Sequence, residues 1–293
     1  MHLLLKEKNR GFSLVELLIG LSITMIIVGA FINLLINQTD SYNDASLRQE
    51  MYLTGRIALD EIQREAMNAG TGLPGLFSSV QVLNATPGEP DTVTFIYIPP
   101  SDIALKLKTS PSATSQTCFL TDDSDVDQLV VSDHLIIWDE TAWTIIEITH
   151  INVSNSKINF VPPVGVNQPW GLGHAYDPPT THVARVAVYS ITVDKDTDPD
   201  HPFLTKFRGG YPVGTIAHDI EDLQVKIIFA DGDTASVAND TDADETNDAM
   251  DLRGILVTVT ARSARPIEGY QLTEDGYYRQ EFTSTISPRN IIY

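Results

Sequence analysis

Two sets of carboxylates stand where their type and spacing could do chemistry. Asp240, Asp242, Asp244 and Asp251 occupy positions 1, 3, 5 and 12 of a twelve-residue window. Oxygen ligands at that spacing suit a calcium loop. The window departs from such a loop at two places: position 6 is Glu245 where the turn wants glycine, and position 12 is Asp where a bidentate Glu is usual. A solvated acidic loop is the competing reading. The second feature is a lone carboxylate, Glu16, close behind Arg10-Gly11-Phe12 and near the start of the apolar run Leu14–Ile36. A charge at the centre of a membrane helix costs roughly 3 kcal/mol. Near the end of the run the side chain can partly reach the interface, so the cost falls, and a snorkelling carboxylate without a partner is one reading of it.

Other chemistry is thinly represented. No GxSxG, HExxH, P-loop or CxxC pattern occurs. His134, His150, His174, His182, His201 and His218 are scattered without an i, i+4 pair. Carboxylate pairs for glycoside hydrolysis arise by chance in a chain this acidic, and Trp138 and Trp143 bracket a hairpin and read as core. Cys118 is the single cysteine, so no internal disulfide can form, and its neighbours Phe119 and Leu120 mark it as a small buried residue. A net charge of −20 repels nucleic acid phosphates and anionic membrane surfaces. The expectation is a chain that is not an enzyme and has no nucleic-acid partner.

The elements that must position Glu16 are legible. Leu14–Ile36 comprises 23 residues, of which only Glu16, Ser22, Thr24 and Asn33 are polar. As a helix it spans roughly 35 Å, enough for a bilayer core. Lys6, Lys8 and Arg10 precede it, which places residues 1–11 in the cytoplasm. The helical period then continues through Leu47, Met51, Gly55, Ala58, Ile62, Ala66 and Ala69, with Arg56, Asp60 and Arg64 on another face. Gly70-Thr71-Gly72-Leu73-Pro74 ends it. Beyond Pro74 the period changes. Strands are expected over Val80–Leu83, Thr92–Tyr97, His134–Trp138, Trp143–Ile151, Lys157–Val161, His182–Val193, Leu223–Phe229, Gly254–Ala264 and Tyr278–Ile286. A turn is expected at Asn155-Ser156, a long loop from Pro162-Pro163 to Pro179, and a small barrel-like insertion near residues 126–165.

The stretch Arg10-Gly11-Phe12-Ser13-Leu14-Val15-Glu16 resembles the prepilin processing motif of type IV pilins and type II secretion pseudopilins. The resemblance implies cleavage between Gly11 and Phe12 by a prepilin peptidase, methylation of the new Phe12 amine, and pairing of Glu16 with the Phe12 ammonium of a neighbouring subunit. Gly11 suits the cut, since a residue without a side chain lets a protease approach the backbone. The strand Asp251–Ser263 and the segment Tyr278–Asn290 resemble the C-terminal hairpin of PilW-type minor pilins, which are related to the J-type pseudopilin.

The resulting expectation is an α+β pilin-like fold, a long N-terminal helix against an antiparallel β-rich domain. Its divisions are a leader over 1–11, a transmembrane or fibre-core helix over 12–37, an exposed amphipathic half over 38–70 and a β-rich head over 71–293. By resemblance it is a minor pilin that takes part in type IV pilus assembly. Its partners are other pilin subunits, the assembly machinery, the prepilin peptidase and, before assembly, the inner membrane. It ends in an extracellular fibre, with no cofactor apart from the calcium candidate. The alternatives are a type II secretion pseudopilin, or a secreted binding protein or adhesin freed by cleavage at Val28-Gly29-Ala30, after Ala30.

Overall fold

A computed structural model describes residues 13–73, 79–86, 88–100, 104–121, 126–162, 171–235, 251–267, 273 and 275–288. It divides into two compact units, residues 1–49 and 50–293. The helix α1, Leu14–Asn68, supplies all the regular structure of the first unit and the opening of the second.

In the first unit the described residues from Ser13 to Tyr42 are all exposed, including Leu14, Ile26 and Phe31. This stretch is long and apolar enough to cross a membrane. Four of its hydroxyls are satisfied inside the helix. Ser22, Thr24, Thr39 and Ser41 each donate to the carbonyl four residues back, at 2.7–2.8 Å. A helix that closes its own polar groups is what a hydrocarbon environment demands.

The second unit begins with the amphipathic turns of α1. Met51, Ala58, Ile62, Ala66 and Ala69 are buried in one core. Small residues on this stripe bring the helix axis close to the strands it covers. At Gly55 a Cβ would overlap the ring of Phe282. The helix ends as expected: Gly70 takes a left-handed conformation (φ 82°) and donates its N–H to the Ile96 carbonyl at 3.0 Å.

Two antiparallel sheets complete this core. One has the order β12-β11-β13-β14, with β11 at Ile220–Phe229, β12 at Thr234–Ala235, β13 at Leu252–Arg262 and β14 at Arg279–Ile286. The other is built on a long strand, β8 (His182–Asp194). The C-terminal half of β8 pairs with β2 (Thr92–Tyr97) on one side and β9 (Phe203–Arg208) on the other. Outside these lie β1 (Val80–Leu83) and β10 (Tyr211–His218).

The N-terminal half of β8 belongs to a closed barrel. It pairs with β3 (Ala104–Leu105) and β5 (His134–Trp138). From β5 the ring runs through β6 (Trp143–Asn152), β7 (Lys157–Val161) and β4 (Thr117–Phe119). The Leu107–Leu120 bridge, flanked by hydrogen bonds from Lys108 to Phe119 and from Thr121 to Lys106, returns β4 to the β3 segment. The barrel therefore extends from 104 to 186, wider than the expected 126–165. The added strands β3 and β4 are two and three residues long and carry no period of their own. Alternate residues explain the continuous apolar wording of β5. Leu135 and Ile137 fill the barrel, while Ile136 joins Ile96, Ile145, Val186 and Leu73 in a second core outside it. Leu172 and Tyr176, from the stretch expected to be a surface loop, plug the barrel interior.

The main strand expectations hold to within three residues at each end. β9, β10 and the two-residue β12 have no counterpart among the expected strands; β9 and β10 form a hairpin across Gly209-Gly210, both with positive φ (56° and 86°). A Gly-Gly pair between apolar runs is a hairpin signal, masked in this case by Pro212.

Candidate functional site

Gly11 and Phe12 lie outside the described residues, and so do Asp240, Asp242 and Asp244. The calcium window is represented only by Asp251, just ahead of β13. Among the described residues no group of three or more His, Cys, Asp or Glu could hold a metal ion.

Glu16 sits in the first turn of α1. The Leu17 N–H donates to the Ser13 carbonyl at 3.1 Å, which makes Ser13 the residue that caps the helix. The Ser13 N–H in turn donates to Glu16 Oε2 at 3.0 Å. This is one arm of a capping box, with the acid at the third helical position reaching back to the cap. The negative charge also suits the positive end of the helix dipole. Among the described residues Glu16 meets no cation. Its carboxylate is held at the head of an apolar helix, exposed and oriented by its own first turn.

The histidines do not assemble a catalytic centre. His174 Nε2 lies 2.9 Å from Asp139 Oδ2. Burial opposes ionisation of Asp139, but hydrogen bonds from Thr141, Ala142 and His174 outweigh it and bring its pKa down to about 2. No hydroxyl or thiol nucleophile bonds His174 among the described residues, and the pair ties the segment around His174 to the β5–β6 turn, which Asp139 closes through Thr141 and Ala142. His201 Nδ1 and Asp219 Oδ1 form a second exposed pair at 2.8 Å. Trp138 stacks on His182, with ring centroids 5.3 Å apart, and Trp138 and Trp143 pack on the outer core. Cys118 is in the barrel interior, where burial pushes its thiol up to about 12, an unreactive state.

Two polar clusters escaped the sequence reading. Lys206 on β9 donates to Glu65 Oε1 at 2.6 Å and Glu61 Oε1 at 3.0 Å. The Tyr97 hydroxyl donates to Glu65 Oε2 at 3.2 Å, Arg64 pairs with Glu61, and the ammonium stands 4.3 Å from the Tyr189 ring centroid. Burial, then the Glu65 charge, raises the Tyr97 pKa. Burial works against the Lys206 charge, but Glu65 and Glu61 hold it above its ordinary value. These bonds fasten the amphipathic half of α1 to β2, β8 and β9. The second cluster is His134 with Glu147, under the β9–β10 hairpin. No sequence signal marked either cluster: Lys206 lies 141 residues from Glu65, and the pairing of His134 with Glu147 depends on the register of the β5–β6 hairpin.

Residues 6–32 match the family described as the prokaryotic N-terminal methylation motif. Among curated proteins there is no match. Among solved structures the chain is similar to a type IV-like pilin from Thermus thermophilus, at 11% identity and a TM-score of 0.41, over 85% of this chain and 100% of that one.

Proposed function

We propose that this protein is a minor pilin, made as a membrane-inserted precursor and built into a type IV pilus. The observation that carries the reading is the N-terminal methylation motif over residues 6–32, which runs into a helix whose apolar side chains are uncovered. In this reading a peptidase cuts between Gly11 and Phe12, the Phe12 amine is methylated, and residues 12–37 hold the chain in the inner membrane. On assembly that segment leaves lipid for a bundle of like helices, so its apolar surface stays out of water throughout. Glu16 meets the Phe12 ammonium of a neighbour, which offsets the cost of keeping a carboxylate in an apolar setting and fixes the register of the incoming subunit. The β-rich head selects which subunits fit beside it, and the role is structural. The PilW-like tail supports placement among minor pilins that prime the fibre.

Mass spectrometry of the chain from its native membrane tests the reading. The expected N-terminus is methylated Phe12, with Gly11→Leu blocking the cut and abolishing surface fibres. A chain that starts at Phe31, or normal fibres with Gly11→Leu, overturns it.

A further inference from the structure

We propose that His134 and Glu147 together bind one proton on acidification, and that this loosens the hold of the barrel on the β9–β10 hairpin. His134 is 3% exposed and its Nε2 has no hydrogen-bond partner. A backbone interaction with Ser132 favours the protonated ring; assigned to Nδ1–H, because Nε2 has no partner, it leaves the Nε2 lone pair bare. That lone pair faces Glu147 Oε2 at 3.9 Å, across adjacent strands in register. Two acceptors at this separation repel, and one proton between them makes a hydrogen bond once they close by about 1 Å. Burial pushes His134 down to about 4 and raises Glu147, so the proton affinities of the two groups converge, as sharing requires.

The hairpin rests on this pair at two points. Gly209 lies against the imidazole so closely that a Cβ there would overlap it. The Tyr211 hydroxyl donates to Glu147 Oε1 at 3.5 Å, a bond already at the limit of length. Closure of the pair turns the carboxyl toward His134, weakens it as an acceptor for Tyr211 and shifts the ring under Gly209. The strand that follows is exposed from Tyr211 to Thr215; besides this pair, its ladder to β9 and the Gly209 N–H bond to the Val188 carbonyl at 3.0 Å hold it, so the response belongs to the tip around Gly209–Tyr211. The other charges around the ring are Arg208 on β9, which opposes protonation of His134, and Asp133 beside β5, which favours it. Arg185 on β8 lies 3.4 Å from Asp133 and partly neutralises it. The net field of these charges therefore opposes a positive charge on His134 alone.

The test is a pH titration of the full chain in detergent micelles, by NMR on the His134 ring and the backbone amides of Arg208–Thr215. One transition between neutrality and about pH 4 is expected, common to ring and hairpin. In Glu147→Gln the amide donates permanently to Nε2, so the hairpin should show its acid-form shifts at neutral pH and lose the transition. Tyr211→Phe, at an exposed position, should keep the ring's transition and reduce the response of residues 211–215. Hairpin amides that stay fixed while the pair protonates overturn the proposal, as does a Glu147→Gln chain that titrates like the parent. If Glu147→Gln fails to fold, an undiminished response in Tyr211→Phe overturns the coupling.

Discussion

At Glu16 the capping role and the proposed assembly role can be separated by one change of atom. A glutamine at this position can still accept from the Ser13 N–H, since the capping box takes either residue, but it carries no charge. Glu16→Gln should therefore keep the first turn of α1 protected from hydrogen exchange and still fail to assemble fibres. Glu16→Ala should lose both, with the helix end weaker by about 0.3–1 kcal/mol. Normal piliation in Glu16→Gln would leave only the capping role. Gly55 offers a second residue-level test. Alanine is the better helix former by about 1 kcal/mol, but here its methyl would meet Phe282, and overpacking costs about 1–3 kcal/mol. Gly55→Ala should lower the urea midpoint in the parent chain and raise it in a Phe282→Ala background. The same sign in both backgrounds would deny that contact. Asp139 gives a pH-dependent case. Its folded-state pKa of about 2 lies below its ordinary value of 3.8, so the unfolded chain takes up its proton first as pH falls. Its contribution is present above pH 3.8 and lost toward pH 2. Asp139→Asn should destabilise at neutral pH by roughly 1–2 kcal/mol, with the difference vanishing near pH 2 in denaturant titrations.

At the scale of the element, the amphipathic half of α1 is seated by an apolar stripe and an ionic clasp. The stripe of Met51, Ala58, Ile62, Ala66 and Ala69 supplies non-directional burial and tolerates sliding. The clasp of Lys206 with Glu65 and Glu61 does not, because Glu65 is 4% exposed and has few other partners in reach. Lys206→Met leaves that carboxylate buried beside a thioether and should cost about 3–5 kcal/mol, the range for breaking a buried pair from one side. Adding Glu65→Gln should recover part of the loss. A measured cost below 1 kcal/mol for Lys206→Met would mean that water already reaches the pair.

At the scale of the whole molecule, net charge sets the conditions under which the chain is stable. At −20 its own repulsion opposes compaction. The thermal midpoint of the chain in neutral detergent should therefore rise from low to physiological salt, as screening shortens the reach of these charges to about 8 Å. A midpoint that is flat or falls with sodium chloride would show that attractive pairs such as Arg279 with Glu221 and Asp275 dominate the balance.

The sequence by itself determined the apolar span, the methylation motif around Gly11, Phe12 and Glu16, the end of α1 at Gly70 and nine of the fourteen described strands. Each is written in a local pattern: a run, a fixed offset, a glycine, or a period of two or 3.6 residues. Only the tertiary structure decided the rest. It closed a barrel through β3 and β4, which are too short to have a period, and it drew Leu172 and Tyr176 from an apparent loop into the barrel's interior. It also set Lys206 against Glu65, 141 residues away, and His134 against Glu147 beneath Gly209. These contacts depend on strand register and on which faces meet, and a chain's local hydropathy and spacing record neither.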